Sequence, residues 1–237
     1  MERKSSEKLK IERRKLKGVV YFCSMTDKEL QILQHYFPAA AVPMVAEAYS
    51  KSHFQLKFTK PRISRLGEFR VPRGKNGICR ISLNGDLNPY QMVVTFVHEL
   101  AHYMVYVNYQ NKGVKPHGKE WKQTFAQLLL PYLKSDIFPD DVLDALKQHL
   151  QHIKASSTTD KNLVRVMKRY NNHPIDTKTI TVENLPEGAV FVLSSGLTLR
   201  KGPKHRTRYR CQSLDNGEIY MVSGLVEVTE KGIDRNN

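Results

Sequence analysis

The stretch Thr95-Phe96-Val97-His98-Glu99-Leu100-Ala101-His102 combines an apolar frame with two histidines four residues apart and a glutamate directly after the first. On a helix that spacing puts His98 and His102 on one face, about 6 Å apart along the axis, close enough to share one metal ion. Glu99 then lies beside them, placed to serve as general base to a water on that ion. The flanks predict the helix. Asn88-Pro89-Tyr90-Gln91 has the order of a helix start, with Asn88 as N-cap, Pro89 at the first helical position and Gln91 reaching back as in a capping box. Val93, Val97, Leu100, Met104 and Val107 follow a three-and-four spacing and predict a core-facing stripe, with Thr95, His98 and His102 on another face turned to a cleft. A chance His-x-x-x-His is common in a chain with nine histidines, but the intervening glutamate and the apolar frame make this one rare.

A catalytic Zn²⁺ site takes three protein ligands and leaves one position open. The metzincin arrangement is excluded, because Asn108 stands where its third histidine falls and Val105 where its glycine does. Two candidates remain in Pro116-His117-Gly118-Lys119-Glu120-Trp121. His117 precedes a second helical pattern with Trp121, Phe125, Leu128 and Leu129 on its apolar face, and Gly118 removes bulk next to it. Glu120 would instead be presented from that helix, as in thermolysin-like sites.

The chain of 237 residues is long enough to bury one substantial core and a small second one. Thirty-eight Lys and Arg against twenty-three Asp and Glu give a formal charge of +15, which favours a polyanionic partner, nucleic acid before a membrane surface. Three cysteines, Cys23, Cys79 and Cys211, are too few and too scattered for a disulfide framework or a Cys-rich metal module, and a reducing, cytoplasmic setting is expected. No apolar run approaches the length of a membrane span, and Val19 to Cys23 is too short for the apolar part of a signal peptide.

Residues 1 to 18 carry eight Lys or Arg against three Glu without a consistent apolar face, and predict a disordered or frayed tail ahead of Met25. Thr26-Asp27-Lys28-Glu29 is a capping box opening a helix through about His35, and Ala39 to Ser50 predicts another. Phe54 to Val71 alternates polar and apolar residues irregularly, and Ile78 to Leu83 reads as a strand with Cys79, Ile81 and Leu83 on one core face. That strand is expected to line the cleft and pair with an extended substrate. Pro131 ends the second metal-site helix, Asp140 to Ile153 is amphipathic, and His149 and His152 are expected at the surface.

From Lys178 six short strand patterns alternate with Gly, Pro, Ser and Asn. Gly202-Pro203 reads as the centre of a turn. Between Ser195 and Arg210 there are six cations and no acid, and Arg200, Lys201, Lys204, Arg206, Arg208 and Arg210 are the candidate phosphate contacts.

On three motifs the chain resembles the SprT-like metalloprotease family, which includes the Spartan DNA-protein crosslink proteases. They are Ile81-Ser82-Leu83-Asn84 before the active-site helix, His98-Glu99-Leu100-Ala101-His102, and His117-Gly118-Lys119-Glu120-Trp121. The likeness covers roughly residues 28 to 135. It implies His98, His102 and His117 as zinc ligands, one Zn²⁺ per chain, and Glu99 as the catalytic base. Many bacterial members look like a protease domain followed by a four-cysteine zinc ribbon. Here only Cys211 remains, with Leu193-Ser194-Ser195-Gly196 where a cysteine pair would fall, which argues against a second zinc.

The fold expected is α+β. Residues 1–25 form a basic, disordered tail, 26–154 a zincin-like domain, 155–177 a linker with a short helix, and 178–232 a small, ribbon-like β module lacking the cysteine pairs. The function expected is zinc-dependent hydrolysis of peptide bonds in DNA-associated or DNA-crosslinked proteins. The alternative is a nucleic-acid-associated binding protein with a non-catalytic zinc site. Tyr103, Tyr106 and Tyr109 are candidates for oxyanion stabilisation by proximity along the chain.

Overall fold

The computed structural model describes residues 10–11, 25–62, 65–72, 77–109, 113–153, 160–171 and 179–229. It is mixed α and β and divides into two compact units, residues 1–171 and 172–237.

The first unit is built on a four-stranded sheet of order β1-β2-β4-β3, from β1 (Lys10–Ile11), β2 (Phe54–Thr59), β3 (Gly67–Arg70) and β4 (Cys79–Asn84). β2 and β4 run parallel, and β3 lies antiparallel on the far side of β4. Phe54 to Val71, where the alternation is irregular, holds two strands, because Phe54, Leu56 and Phe58 alternate into the core under cover of the helices. One expectation changes here. The strand containing Ile81 is interior, with strands paired on both sides, so it has no free edge for a substrate; among the described residues β3 is the edge strand on that side. Lys10–Ile11, within the expected tail, pairs antiparallel with Lys57 and Leu56 of β2, while the other residues before Met25 lie outside the described residues.

Helix α1 (Asp27–Tyr36) opens with the Thr26–Glu29 capping box, its Glu29 N–H donating to Thr26 Oγ1 at 3.3 Å. A single 3₁₀ turn (Ala39–Ala41) leads into α2 (Val42–Ser50). Helix α3 (Pro89–Tyr109) is the axis of the unit and packs against β3 and β4. It is buried on more sides than one stripe predicts. Met92 through Val97 are all buried, together with Glu99, Leu100, Ala101 and Tyr103, whereas Val107, placed in the stripe, is 45% exposed near the helix end. Helices α4 (Lys119–Leu129), α5 (Asp140–Gln151) and α6 (Lys161–Lys168) complete the unit.

The short helix of the expected linker is α6, and it belongs to this core. Leu163, Val166 and Met167 are buried in the main cluster, and Tyr170 Oη donates to Asp141 at 2.7 Å. Residues 154–159 lie outside the described residues. His149 is not at the surface: it is 2% exposed, with Nδ1 3.0 Å from Asp160 Oδ2, because Asp160 caps α6 and brings its carboxylate over α5.

The second unit is an antiparallel meander, β6 (Val190–Val192), β7 (Thr198–His205), β8 (Arg208–Ser213) and β9 (Ile219–Ser223), with β5 (Thr179–Thr181) paired to β10 (Glu227–Thr229). Val182, Leu185, Phe191, Leu199, Cys211, Val222 and Val228 form its apolar core. At Leu193 to Leu197 a hydrogen-bonded turn, with Gly196 at φ 87°, stands where a cysteine knuckle would. Gly202-Pro203 is not the turn, since β7 runs through it with a register shift between Lys201 and Lys204. A Cβ at Gly202 would sit 2.3 Å from Arg210 O, so glycine permits the close approach, and proline is tolerated at a bulge. The reversal falls at Arg206-Thr207, where Arg206 has φ 54°.

Candidate metal centre

Helix α3 begins where its sequence places it. Asn88 Oδ1 accepts the Gln91 N–H at 2.8 Å, capping the first turn, and Asn88 Nδ2 donates to Met167 O at 2.8 Å and to Asn171 Oδ1 at 2.9 Å. The cap therefore also ties the start of α3 to the end of α6, and the fixed register carries His98 and His102 to one face.

His117 reaches the same point from the turn before α4. Its backbone is left-handed, φ 57°, a conformation that costs a non-glycine residue about 1 kcal/mol or more and tends to persist at functional sites. Gly118 makes the turn possible: its N–H donates to Lys115 O at 2.9 Å, and an added Cβ would lie 2.9 Å from that oxygen.

The three Nε2 atoms converge. His98 and His102 are 3.3 Å apart, His102 and His117 3.0 Å, and His117 and His98 3.2 Å. A tetrahedral ion about 2.0–2.1 Å from each nitrogen separates its ligand atoms by roughly 3.3–3.4 Å, so the donor set fits Zn²⁺ to within a few tenths of an ångström. Burial, and then the neighbouring imidazoles, pull His98 down to about pKa 3 and His102 to about 4, and burial lowers His117. The rings are consequently neutral at pH 7, with lone pairs available to a cation. Among the described residues this is the cluster of three or more ligating side chains, and Glu120 is not in it.

Trp121 of α4 is a residue whose place here the sequence did not show. Read there as part of an apolar face and quoted in the motif with His117, it is 1% exposed, with its ring centroid 4.7 Å from those of His98 and His117 and 5.3 Å from that of His102. Phe125 stacks behind it at 5.0 Å. The indole thus backs all three imidazoles and limits their rotation.

Glu99 is 6% exposed and faces β3. Burial is the main influence and pushes its carboxyl up to about 7, with Glu68 adding to the rise; the Phe69 backbone N–H and the Arg62 charge act against it. Gly67 is a second residue missed in sequence. A Cβ there would lie 2.7 Å from Glu99 Oε1 and 2.7 Å from Thr95 Cγ2, so only glycine lets β3 run this close to the carboxylate. Its signal was faint, a lone glycine in a stretch without clear periodicity.

Of the three tyrosines, Tyr103 is committed elsewhere: its oxygen accepts the His53 N–H at 2.8 Å and the side chain is buried. Tyr106 and Tyr109 line the cleft beside His102 and His117.

Residues 31–136 match the family model described as the SprT-like family. No curated protein and no solved structure matches the chain. The matched residues begin within α1, run through the turn after α4 and include His98, Glu99, His102 and His117.

In the second unit the expected basic set divides. Lys201 is 5% exposed; its Nζ donates to the Leu185 and Glu183 carbonyls and lies 4.3 Å from the centre of the Tyr209 ring. Strand alternation turns it inward with Leu199, so it is a structural residue and not a phosphate contact. Arg200, Lys204, Arg206, Arg208 and Arg210 are exposed. By register, Arg200 pairs with Gln212, and Arg208 and Arg210 alternate with it along β8, which sets the three arginines on one outer face.

Proposed function

We propose that the SprT-like region is a zinc-dependent metalloprotease acting on proteins associated with DNA. The observation that carries this is the convergence of three neutral imidazole nitrogens, 3.0–3.3 Å apart, next to a glutamate on the same helix. A Zn²⁺ held by His98, His102 and His117 would supply Lewis-acid polarisation of the scissile carbonyl and acidification of water. Glu99 takes the proton from the attacking water and returns it to the leaving amine. Gly67 and the Phe69 N–H hold that carboxylate in place, and Trp121 holds the imidazoles. β3, the edge strand among the described residues, offers backbone donors and acceptors to an extended polypeptide.

Three ligands support catalysis over the alternative of a non-catalytic site, because a closed structural zinc site takes four. The outer arginine face of the second unit supports DNA as the partner, through sequence-independent phosphate contacts. Buried Cys79 and Cys211, both free thiols, suit the cytoplasmic setting proposed. Among the described residues no helix is long and apolar enough to cross a membrane.

The test is a proteolysis assay on DNA-bound proteins, run with and without DNA, comparing the native chain with Glu99→Gln. Cleavage by the native chain that the variant loses supports the proposal. Equal cleavage by both, or none by either, refutes it.

A further inference from the structure

Beside the three imidazoles the cleft deepens into a cavity of about 190 Å³. Its lining is mostly apolar: Phe69 from β3, Val71 from just beyond the end of that strand, Val105 and Tyr106 from α3, and Val114 and Pro116 from the segment leading to His117. His102, His117 and Trp121 line it as well. Val105 and Tyr106 come three and four residues after His102 and so continue the face of α3 that carries the metal ligand. Phe69 and Tyr106 rest against each other at 5.9 Å, giving the wall a fixed surface. Among the lining side chains only Lys115 carries a full charge, and it is exposed.

An apolar recess opening onto a polar, metal-ready centre has no role in folding, because burying its walls would stabilise the chain further. Its size excludes a drug-sized ligand, whose pockets measure roughly 300–1,000 Å³, and matches one large side chain. Phe69 of β3, the edge strand of the sheet among the described residues, is part of its lining. A polypeptide laid along β3 presents alternate side chains to this recess.

We propose that the recess is a specificity subsite that takes one apolar side chain, aliphatic or aromatic, of a polypeptide whose adjoining carbonyl lies at the His98–His102–His117 centre. Val105 of α3 and Val114 of the segment before His117 both line it. This rests on the proteolytic function proposed above, and it adds which residue of the substrate is selected. Apolar pockets discriminate by roughly 10- to 200-fold, so selection is expected in that range.

The experiment uses the full zinc-loaded chain and three peptide hydroxamates, identical except for a leucine, glycine or aspartate side chain next to the metal-binding group, with affinities read by calorimetry. The leucine compound is expected to bind at least about tenfold tighter than the glycine compound, and the aspartate compound no better than glycine. Val105→Phe fills the recess from α3 and should cut the leucine advantage to within about threefold with zinc content unchanged. Val114→Phe does the same from outside the helix, so the result does not hang on one variant folding. Equal affinities, a preference for aspartate, no binding of any of the three, or a leucine advantage that survives both variants overturns the proposal. Leucine preference without any proteolysis retains the subsite and removes the proteolytic function. Proteolysis without preference does the reverse.

Discussion

Both units bury polar side chains that a sequence reader would place at the surface or in a ligand site, and the two burials have opposite meanings. Lys201 in the second unit directs its ammonium at the Leu185 and Glu183 carbonyls and lies over Tyr209, so its donors are used within the protein. His98, His102 and His117 in the first unit direct ring nitrogens at one another, at separations where no hydrogen atoms can satisfy all three. A buried polar group whose partners are backbone carbonyls is holding a fold together. A set whose lone pairs meet at a common point is arranged for something the chain itself does not provide. Residue type does not separate the two cases; where the partners lie does.

That contrast can be broken experimentally. The largest effect is expected at Glu99: Glu99→Gln should lower peptide hydrolysis by about 10²- to 10⁴-fold, the usual contribution of a general base, while elemental analysis still finds one zinc per chain. Loss of metal along with activity would move Glu99 from proton transfer to ligation. Next comes His117→Ala, which should release zinc where Glu120→Ala keeps it; the opposite result would mean that the third ligand lies on α4 and not in the turn before it.

Gly67→Ala sharpens the comparison from the strand side. Its Cβ meets Glu99 Oε1 at 2.7 Å, so hydrolysis should fall about tenfold or more through a displaced carboxylate, with zinc binding intact. Unchanged turnover would show that β3 yields without disturbing Glu99. In the second unit, Lys201→Met should cost about 1–3 kcal/mol of stability, because two carbonyls lose their donor, and should leave zinc content alone. A neutral result in denaturant unfolding would show that water replaces the ammonium. The smallest effect is expected from changing Arg200, Arg208 and Arg210 together to Ala: DNA affinity should fall and its logarithmic salt dependence should flatten by about one per lost phosphate contact. Adding Lys201→Met to that set should not flatten it further, and if it does, Lys201 reaches DNA after all.

The helical architecture of the first unit was legible because its signals are local. The Thr26 capping box, the Asn88 cap with Pro89, and Pro131 after α4 act within one or two turns, and each falls where the structure has it. The pairing of β3 was not legible, since Gly67 to Arg70 is short, only partly buried and defined by its contact with Leu83 to Arg80 across the sheet. His149 looked like a surface residue because nothing near it in sequence reveals that Asp160, eleven residues on, folds back to meet it.

Sequence alone determined the identity and spacing of the chemical groups: two imidazoles four apart on a capped helix, a glutamate between them, a third histidine before a second helix, and an excess of positive charge. These follow from helix periodicity and from composition, which need no knowledge of distant neighbours. Only the tertiary structure brought His117, and not Glu120, to His98 and His102, set Gly67 against Glu99 and Trp121 behind the imidazoles, and turned Lys201 inward while leaving Arg200, Arg208 and Arg210 outside. Each of those outcomes depends on strand register or on helix packing between residues far apart in the chain, where a shift of one residue reverses which side chains face in and which face out.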